Sequence, residues 1–229
     1  MKPVFLLEGG PAIDRQFQEE GYVLNKTYSS AIAAAGGVPY WATQKELVSE
    51  YADFADALVL TGSLVFSPKP NSGFDDFKDR KDERTDLKRP LFDEFVKRKK
   101  LIIGICEGFQ SINEFLGGSL DDDYKKKSGI EHMFTFHNST VKEGSLLQEV
   151  FGDEFIINSR HNRTVRKLAK SLVATQFSPD GIIEAFEHKN LPIYGFEWHP
   201  ERMRGDFREP IEGPDTTVLF EKFVELASV

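Results

Sequence analysis

The chain has 229 residues and a formal net charge of −8, from 29 basic and 37 acidic residues. The length suits one α/β domain over residues 1–229, the 40% hydrophobic content fills a large core, and the acidic balance argues against nucleic acid as a partner. No apolar stretch approaches the roughly 20 residues of a membrane span, and a single cysteine excludes an internal disulfide and suits a reducing cytoplasm.

In chain order, Val4–Leu7 reads as a first strand, too short in its apolar run for a signal peptide. A helix is expected over Leu24–Ala35, ended by Gly36-Gly37. Val38–Trp41 is a second strand, Gln44–Tyr51 a helix and Ala57–Thr61 a third strand. Ser67–Lys88 is irregular: Pro68, Pro70, Asn71 and Gly73 break structure, and a dense run of charge follows, as in a lid or a solvated excursion. Pro90–Lys99 is a helix with proline in its first turn, and Leu101–Ile105 a strand. Phe109–Leu116 is helical. Such βαβα order predicts a mostly parallel central sheet with helices on both faces. Beyond residue 130 the strands crowd together (His132–His137, Glu154–Asn158, Leu172–Ala174, Ile182–Phe186), which predicts antiparallel pairing and an additional small antiparallel sheet. Ile193–Phe196 is a last strand and Thr217–Leu226 a closing helix. The charged, Gly- and Pro-containing Arg202–Asp215 is placed to wall a site. The clusters Lys97–Lys100 and Lys125–Lys127 read as solvated lysines.

The lone Cys106 stands in Gly104-Ile105-Cys106-Glu107-Gly108, between an apolar strand and a helix. Strand, sharp turn and helix with a thiol at the apex is the context of a nucleophile elbow, whose crowded backbone needs glycines on both sides. A thiol at a helix N-terminus is expected to favour the thiolate, and the Glu107 N–H would face an oxyanion formed there. Far along the chain comes Phe196-Glu197-Trp198-His199-Pro200-Glu201. His199 is a candidate general base and Glu201 the group that orients it, as a cysteine attacking a carbonyl requires. His132, His137 and His188 have no metal-ligand spacing with the cysteine and read as surface or strand residues.

Taken together, the chain resembles the class I glutamine amidotransferase superfamily, and within it the gamma-glutamyl hydrolase branch, the C26 peptidases. Four blocks carry the likeness: Leu60-Thr61-Gly62-Ser63; Gly104 to Asn113 with Gly117-Gly118-Ser119-Leu120; Asn158-Ser159-Arg160-His161; and Ser178 to Ala185 with Glu197 to Glu201. The resemblance implies a flavodoxin-like α/β fold and a Cys106-His199-Glu201 triad. It also implies an oxyanion hole from the N–H groups near Gly62 or Ser63 with that of Glu107. Gln110, Asn158, Ser159, Arg160 and His161 fall at positions that contact the glutamyl part of the substrate. The chain departs from the branch at Glu107, where a basic residue is frequent, at Ser63, and at Glu8-Gly9-Gly10-Pro11. An acid beside the thiol raises its pKa unless its side chain turns into solvent.

The implied reaction is hydrolysis of a gamma-glutamyl amide through a glutamyl thioester, with no metal and no organic cofactor. The alternatives are a glutaminase subunit that passes ammonia to a separate synthase, and a non-catalytic relative that binds a metabolite or senses oxidation. The expected partners are a small gamma-glutamyl substrate, a second copy in a homodimer or, for the amidotransferase alternative, a synthase; nucleic acid and membrane are not expected.

Overall fold

A computed structural model describes residues 1–14, 20–62, 74–76, 81–122, 131–205 and 213–228. In chain order the elements are β1 (Val4–Glu8), β2 (Gly10–Asp14), β3 (Glu20–Val23), α1 (Lys26–Ala34), β4 (Val38–Ala42), α2 (Val48–Phe54), β5 (Ala57–Leu60), β6 (Phe74–Asp76) and α3 (Lys81–Lys97). There follow β7 (Leu101–Ile105), α4 (Glu107–Phe115), β8 (Ser119–Asp121), β9 (Met133–Val141), α5 (Leu146–Phe151), β10 (Glu154–Arg160), β11 (Thr164–Lys167), β12 (Leu172–Phe177), β13 (Ile183–His188), β14 (Ile193–Phe196) and α6 (Thr217–Leu226).

Nine strands form one sheet in the order β10-β9-β12-β13-β14-β7-β5-β1-β4. From β14 to β4 all pairs are parallel. Every residue of β5 (Ala-Leu-Val-Leu) and β7 (Leu-Ile-Ile-Gly-Ile) is buried, as central strands covered on both faces require. From β14 outward the pairing is antiparallel, so the late strands extend the same sheet. Small antiparallel sheets stand apart from it: β3-β2-β6 and β11-β8. The chain has the α/β fold expected, a parallel core sheet between helices with additional antiparallel structure.

Each face of the sheet has its own core. One joins Phe5, Leu7, Ile103 and Ile105 to Tyr28 and Ile32 of α1 and to Phe220 and Phe223 of α6. The other joins Leu6, Leu58 and Ile102 to Leu91, Phe92 and Phe95 of α3 and to Phe109 and Ile112 of α4. Asn25 caps α1 by accepting from Thr27 N (3.1 Å), and Gly36 ends the turn at φ +98°.

α2 starts at Val48 and not Gln44, after a 3₁₀ turn at Lys45–Leu47, and α3 differs most from its expected bounds. α3 begins at Lys81 and runs through Pro90. Buried Leu87, Leu91 and Phe95 repeat every four residues, and this stripe packs on the sheet through the charge-dense segment read as irregular. The rest of the expected irregular segment, 67–73 and 77–80, lies outside the described residues, as do Ser63, Lys125–Lys127 and residues 206–212.

Candidate active site

β7 delivers the chain into Cys106, and α4 begins at the next residue. Cys106 has φ 53° and ψ −109°, a left-handed, strained conformation for a side chain with a Cβ. The flanking glycines answer to crowding. A Cβ on Gly104 would lie 2.5 Å from Ile112 Cδ1 and 2.8 Å from the Gly108 carbonyl carbon, and one on Gly108 only 2.0 Å from Leu60 O. The expected elbow is therefore present in its geometry.

Gly62, just past β5, marks where the distant segments converge. A Cβ there would sit 3.1 Å from Cys106 Cβ and 3.3 Å from His199 Cε1. His199 Nδ1 lies 2.9 Å from Glu201 Oε1, with both residues buried. Pro200 opens a 3₁₀ turn, Pro200–Arg202, which bends the chain enough for residues two apart to face each other. Asn158 grips the His199 main chain: its Oδ1 accepts from His199 N (2.8 Å) and its Nδ2 donates to His199 O (3.0 Å). Asn158 was expected on the substrate, and the structure places it behind the histidine.

The Gly62 N–H donates to Tyr28 Oη at 3.0 Å. Sequence reasoning missed Tyr28, whose only signal was a hydroxyl within the apolar stripe Tyr28, Ala31, Ile32 of α1. Burial, then the nearby Glu201 and Cys106, push the Tyr28 phenol well above its ordinary pKa. The Glu107 N–H stands at the Cys106 sulfur and favours the thiolate, as expected. It is outweighed. Burial first, then Glu197, Glu107 and Glu201, raise the Cys106 thiol well above its ordinary pKa. The expected lowering at the helix end is thus reversed. The Glu107 side chain turns to buried Lys88 of α3 (Nζ to Oε1, 3.2 Å), which also lies 3.7 Å from buried Glu8.

The other expected substrate contacts are spread through a buried polar network. Gln110 Nε2 donates to Glu197 Oε1 at 2.6 Å. Burial raises the Glu197 carboxyl to about 8, against the lowering influence of His161 and Gln110. Ser159 Oγ donates to His132 O (3.0 Å). Arg160 follows a register shift in β10 and lays its guanidinium over the exposed Phe134 ring, 5.6 Å from the centroid. His161 Nδ1 donates to Arg163 O (2.9 Å) and lies 3.4 Å from Glu197 Oε1. Burial works to lower His161, but Glu197 and Glu184 carry it up to about 9.

His132 is fully buried, not at the surface, and His137 lies in β9 as a strand residue. They gather with His161 around Glu184, which is 0% exposed. His188 ends β13, as expected of a strand residue, its Nδ1 accepting from Asn190 N (3.1 Å) and Leu191 N (3.0 Å) in the turn that follows. Among the described residues no helix is long and apolar enough to cross a membrane.

Comparison with known proteins places the family and the fold. The Peptidase C26 family model matches residues 12–201. Protein NtpR of Enterococcus hirae is 31% identical over 223 residues, 88% of this chain and 92% of that protein. Gamma-glutamyl-gamma-aminobutyrate hydrolase of Escherichia coli O157:H7 is 27% identical over 221 residues, 88% of this chain and 85% of that protein. Among solved structures, a glutamine amidotransferase from Thermotoga maritima superposes with a TM-score of 0.62 at 13% identity, covering 88% of this chain and 77% of that one. At that identity the likeness shows the fold.

Proposed function

The chain belongs to the peptidase C26 family, and from that premise we propose that it is a cysteine-dependent hydrolase of the gamma-glutamyl amide bond in a small gamma-glutamylated amine. The observation that carries the reading is the strained elbow at Cys106 set against the same glycine as His199, whose far nitrogen faces Glu201 at 2.9 Å.

Because burial and carboxylates hold Cys106 as a thiol, His199 takes its proton as the sulfur attacks the side-chain carbonyl. The developing imidazolium is stabilised by Glu201, and Asn158 fixes the ring's main chain. The carbonyl oxygen becomes an oxyanion that accepts from the Glu107 N–H. One such donor supplies about 3 kcal/mol of transition-state stabilisation. His199 then returns the proton to the departing amine as the C–N bond breaks, leaving a glutamyl thioester. Water, deprotonated by His199, attacks the thioester, and glutamate leaves with the thiol restored. The similarity to gamma-glutamyl-gamma-aminobutyrate hydrolase supports a gamma-glutamyl substrate.

The test is glutamate release by the purified chain from a panel of gamma-glutamyl amines and from glutamine, beside Cys106→Ala. Release from one conjugate well above glutamine, lost in the variant, is the expected result. Release from glutamine alone would replace this reading with the ammonia-donating subunit. Release undiminished in Cys106→Ala would refute the cysteine mechanism.

A further inference from the structure

Behind the proposed catalytic residues, β9 and β10 run on past the end of β12. The β9–β12 ladder has only two registered pairs, Val141 with Gln176 and Thr140 with Phe177. The space beyond holds His132, His137, His161 and Glu184. Glu184 Oε1 lies 3.4 Å from His132 Nδ1, 3.4 Å from His137 Nε2 and 3.7 Å from His161 Nε2. Candidate ligand atoms of His132, His161 and Glu184 are all within 4.8 Å of one another. Neither Glu184 oxygen makes a hydrogen bond.

The outer nitrogen of each ring is anchored. His132 Nε2 meets Asp180 Oδ2 at 3.1 Å, His137 Nδ1 meets Asn138 O at 3.0 Å, and His161 Nδ1 meets Arg163 O at 2.9 Å. Carbonyls and carboxylates only accept, so these nitrogens carry the protons. Each inner nitrogen then turns a lone pair toward a carboxylate unless its ring is doubly protonated. Ser159 Oγ, 3.3 Å from His132 Nδ1, directs its own proton to the His132 carbonyl. A proton on His161, which Glu197 and Glu184 favour, answers one of these contacts; one divalent cation would answer all of them, where protons would require several buried imidazoliums.

We propose that His132, His161 and Glu184 hold one zinc-class divalent transition-metal ion, with His137, 3.4 Å from Glu184, turning in as the fourth ligand, and that the ion ties together the segments around β9, β10 and β13. Four-coordinate zinc with bonds of about 2.0–2.1 Å has ligand atoms about 3.3–3.4 Å apart, which the separations from Glu184 approach. Three imidazoles and a carboxylate suit zinc rather than magnesium or calcium. Ligating histidines donate their other N–H to a carboxylate or a main-chain carbonyl, as all three do here. His132, His161 and Glu184 are buried, and with His137 as fourth ligand the site leaves no open position for a substrate, so its role is structural. His161 directly follows the strand that carries Asn158, and so the site bears on how firmly His199 is held.

The experiment strips the full-length chain with a chelator and titrates zinc against a competing fluorescent chelator, with thermal unfolding followed in parallel. One ion per chain and a rise in Tm are expected. Asp180→Asn, which alters the anchor of His132 without touching a ligand, should weaken binding about 10–100-fold. Glu184→Gln should abolish it, and Cys106→Ser should leave it unchanged. Where Glu184→Gln does not fold, a cobalt-substituted wild-type chain gives the second readout: a tetrahedral visible spectrum without a thiolate charge-transfer band. No stoichiometric binding, binding indifferent to Asp180→Asn, or binding lost in Cys106→Ser would each overturn the assignment. None of these readouts depends on the proposed hydrolase activity.

Discussion

Removing the Asn158 side chain separates two roles that its place in the fold makes distinct. In Asn158→Ala the N–H and C=O of His199 both lose their partners, at a position where Asn158 is 1% exposed and His199 6%. Each orphaned buried group costs about 1–3 kcal/mol, and water entering the small space left recovers part of the sum, so about 2–4 kcal/mol of stability is lost. For a chain of this size that lowers Tm by about 4–16 °C. Activity responds as well, because a misplacement of about 1 Å costs on the order of 100-fold in rate. If the residue only positions His199, kcat falls and KM stays near its original value. Thermal unfolding and steady-state kinetics on the conjugate found by the substrate panel read both effects. A Tm within about 2 °C of wild type, with kcat unchanged and KM raised, would put the Asn158 amide on the substrate and sink the positioning role.

Glu201→Gln keeps the shape beside His199 Nδ1 but withdraws the charge that stabilises the imidazolium, so kcat should drop by about 10⁴ with the fold intact by circular dichroism; a loss under tenfold would remove Glu201 from the triad. Alkylation of Cys106 by iodoacetamide follows the thiolate, and a pKa raised above its ordinary value means the thiolate accumulates only as pH climbs. The rate should still be rising at about pH 9, and a plateau below about pH 8 would contradict the raised thiol. Gly108→Ala drives a Cβ to 2.0 Å from the main-chain oxygen of Leu60, which no side-chain rotation relieves. It should cost about 3 kcal/mol or more, or prevent soluble expression, and a variant as stable as wild type in urea would show that the elbow is looser than drawn.

The parallel half of the sheet was legible because its strands are unbroken apolar runs between helices. Leu101–Ile105 and Ile193–Phe196 fall where expected to the residue. The elbow was legible for the same reason a turn is: Gly104 and Gly108 are needed by contacts, and the contacts are local or one strand away. The first half of α3 was hidden because charge outnumbers the apolar stripe in any short window, and only burial of Leu87 reveals the helical face. α5 escaped because six residues carry little periodicity; its signal was Ser145, whose hydroxyl caps Gln148 N at 3.2 Å. The histidine cluster left no local mark at all. In a regular strand His132 and His137, five apart, would point to opposite faces. Phe134 instead takes a left-handed φ of 55°, and the two rings stand 4.8 Å apart. The four residues of the Asn158-Ser159-Arg160-His161 block likewise looked like one contact surface and serve separate ends, because alternation along β10 and the bulge at Ser159/Arg160 send them to different neighbours.

The thiol at the elbow shows why a motif alone misjudges reactivity. A helix N-terminus stabilises an anion by about 0.3–1 kcal/mol, and by about 2 kcal/mol at most in partly buried geometry. Full burial acts on an ionisable group more strongly than that, in the opposite direction. Here Glu197 and Glu201 lie on the same segment as His199, and Glu107 opens the helix itself. Lys88 answers Glu107 at 3.2 Å and so limits its influence on the sulfur, which accords with burial and Glu197 standing ahead of Glu107 among the causes of the shift. The resting site therefore does not rely on a standing thiolate. In the proposed mechanism deprotonation is left to the moment of attack, when His199 takes the proton and Glu201 stabilises the ring that receives it. Glu201, one of the carboxylates that raise the thiol, also faces the far nitrogen of the ring proposed to receive the proton, at 2.9 Å.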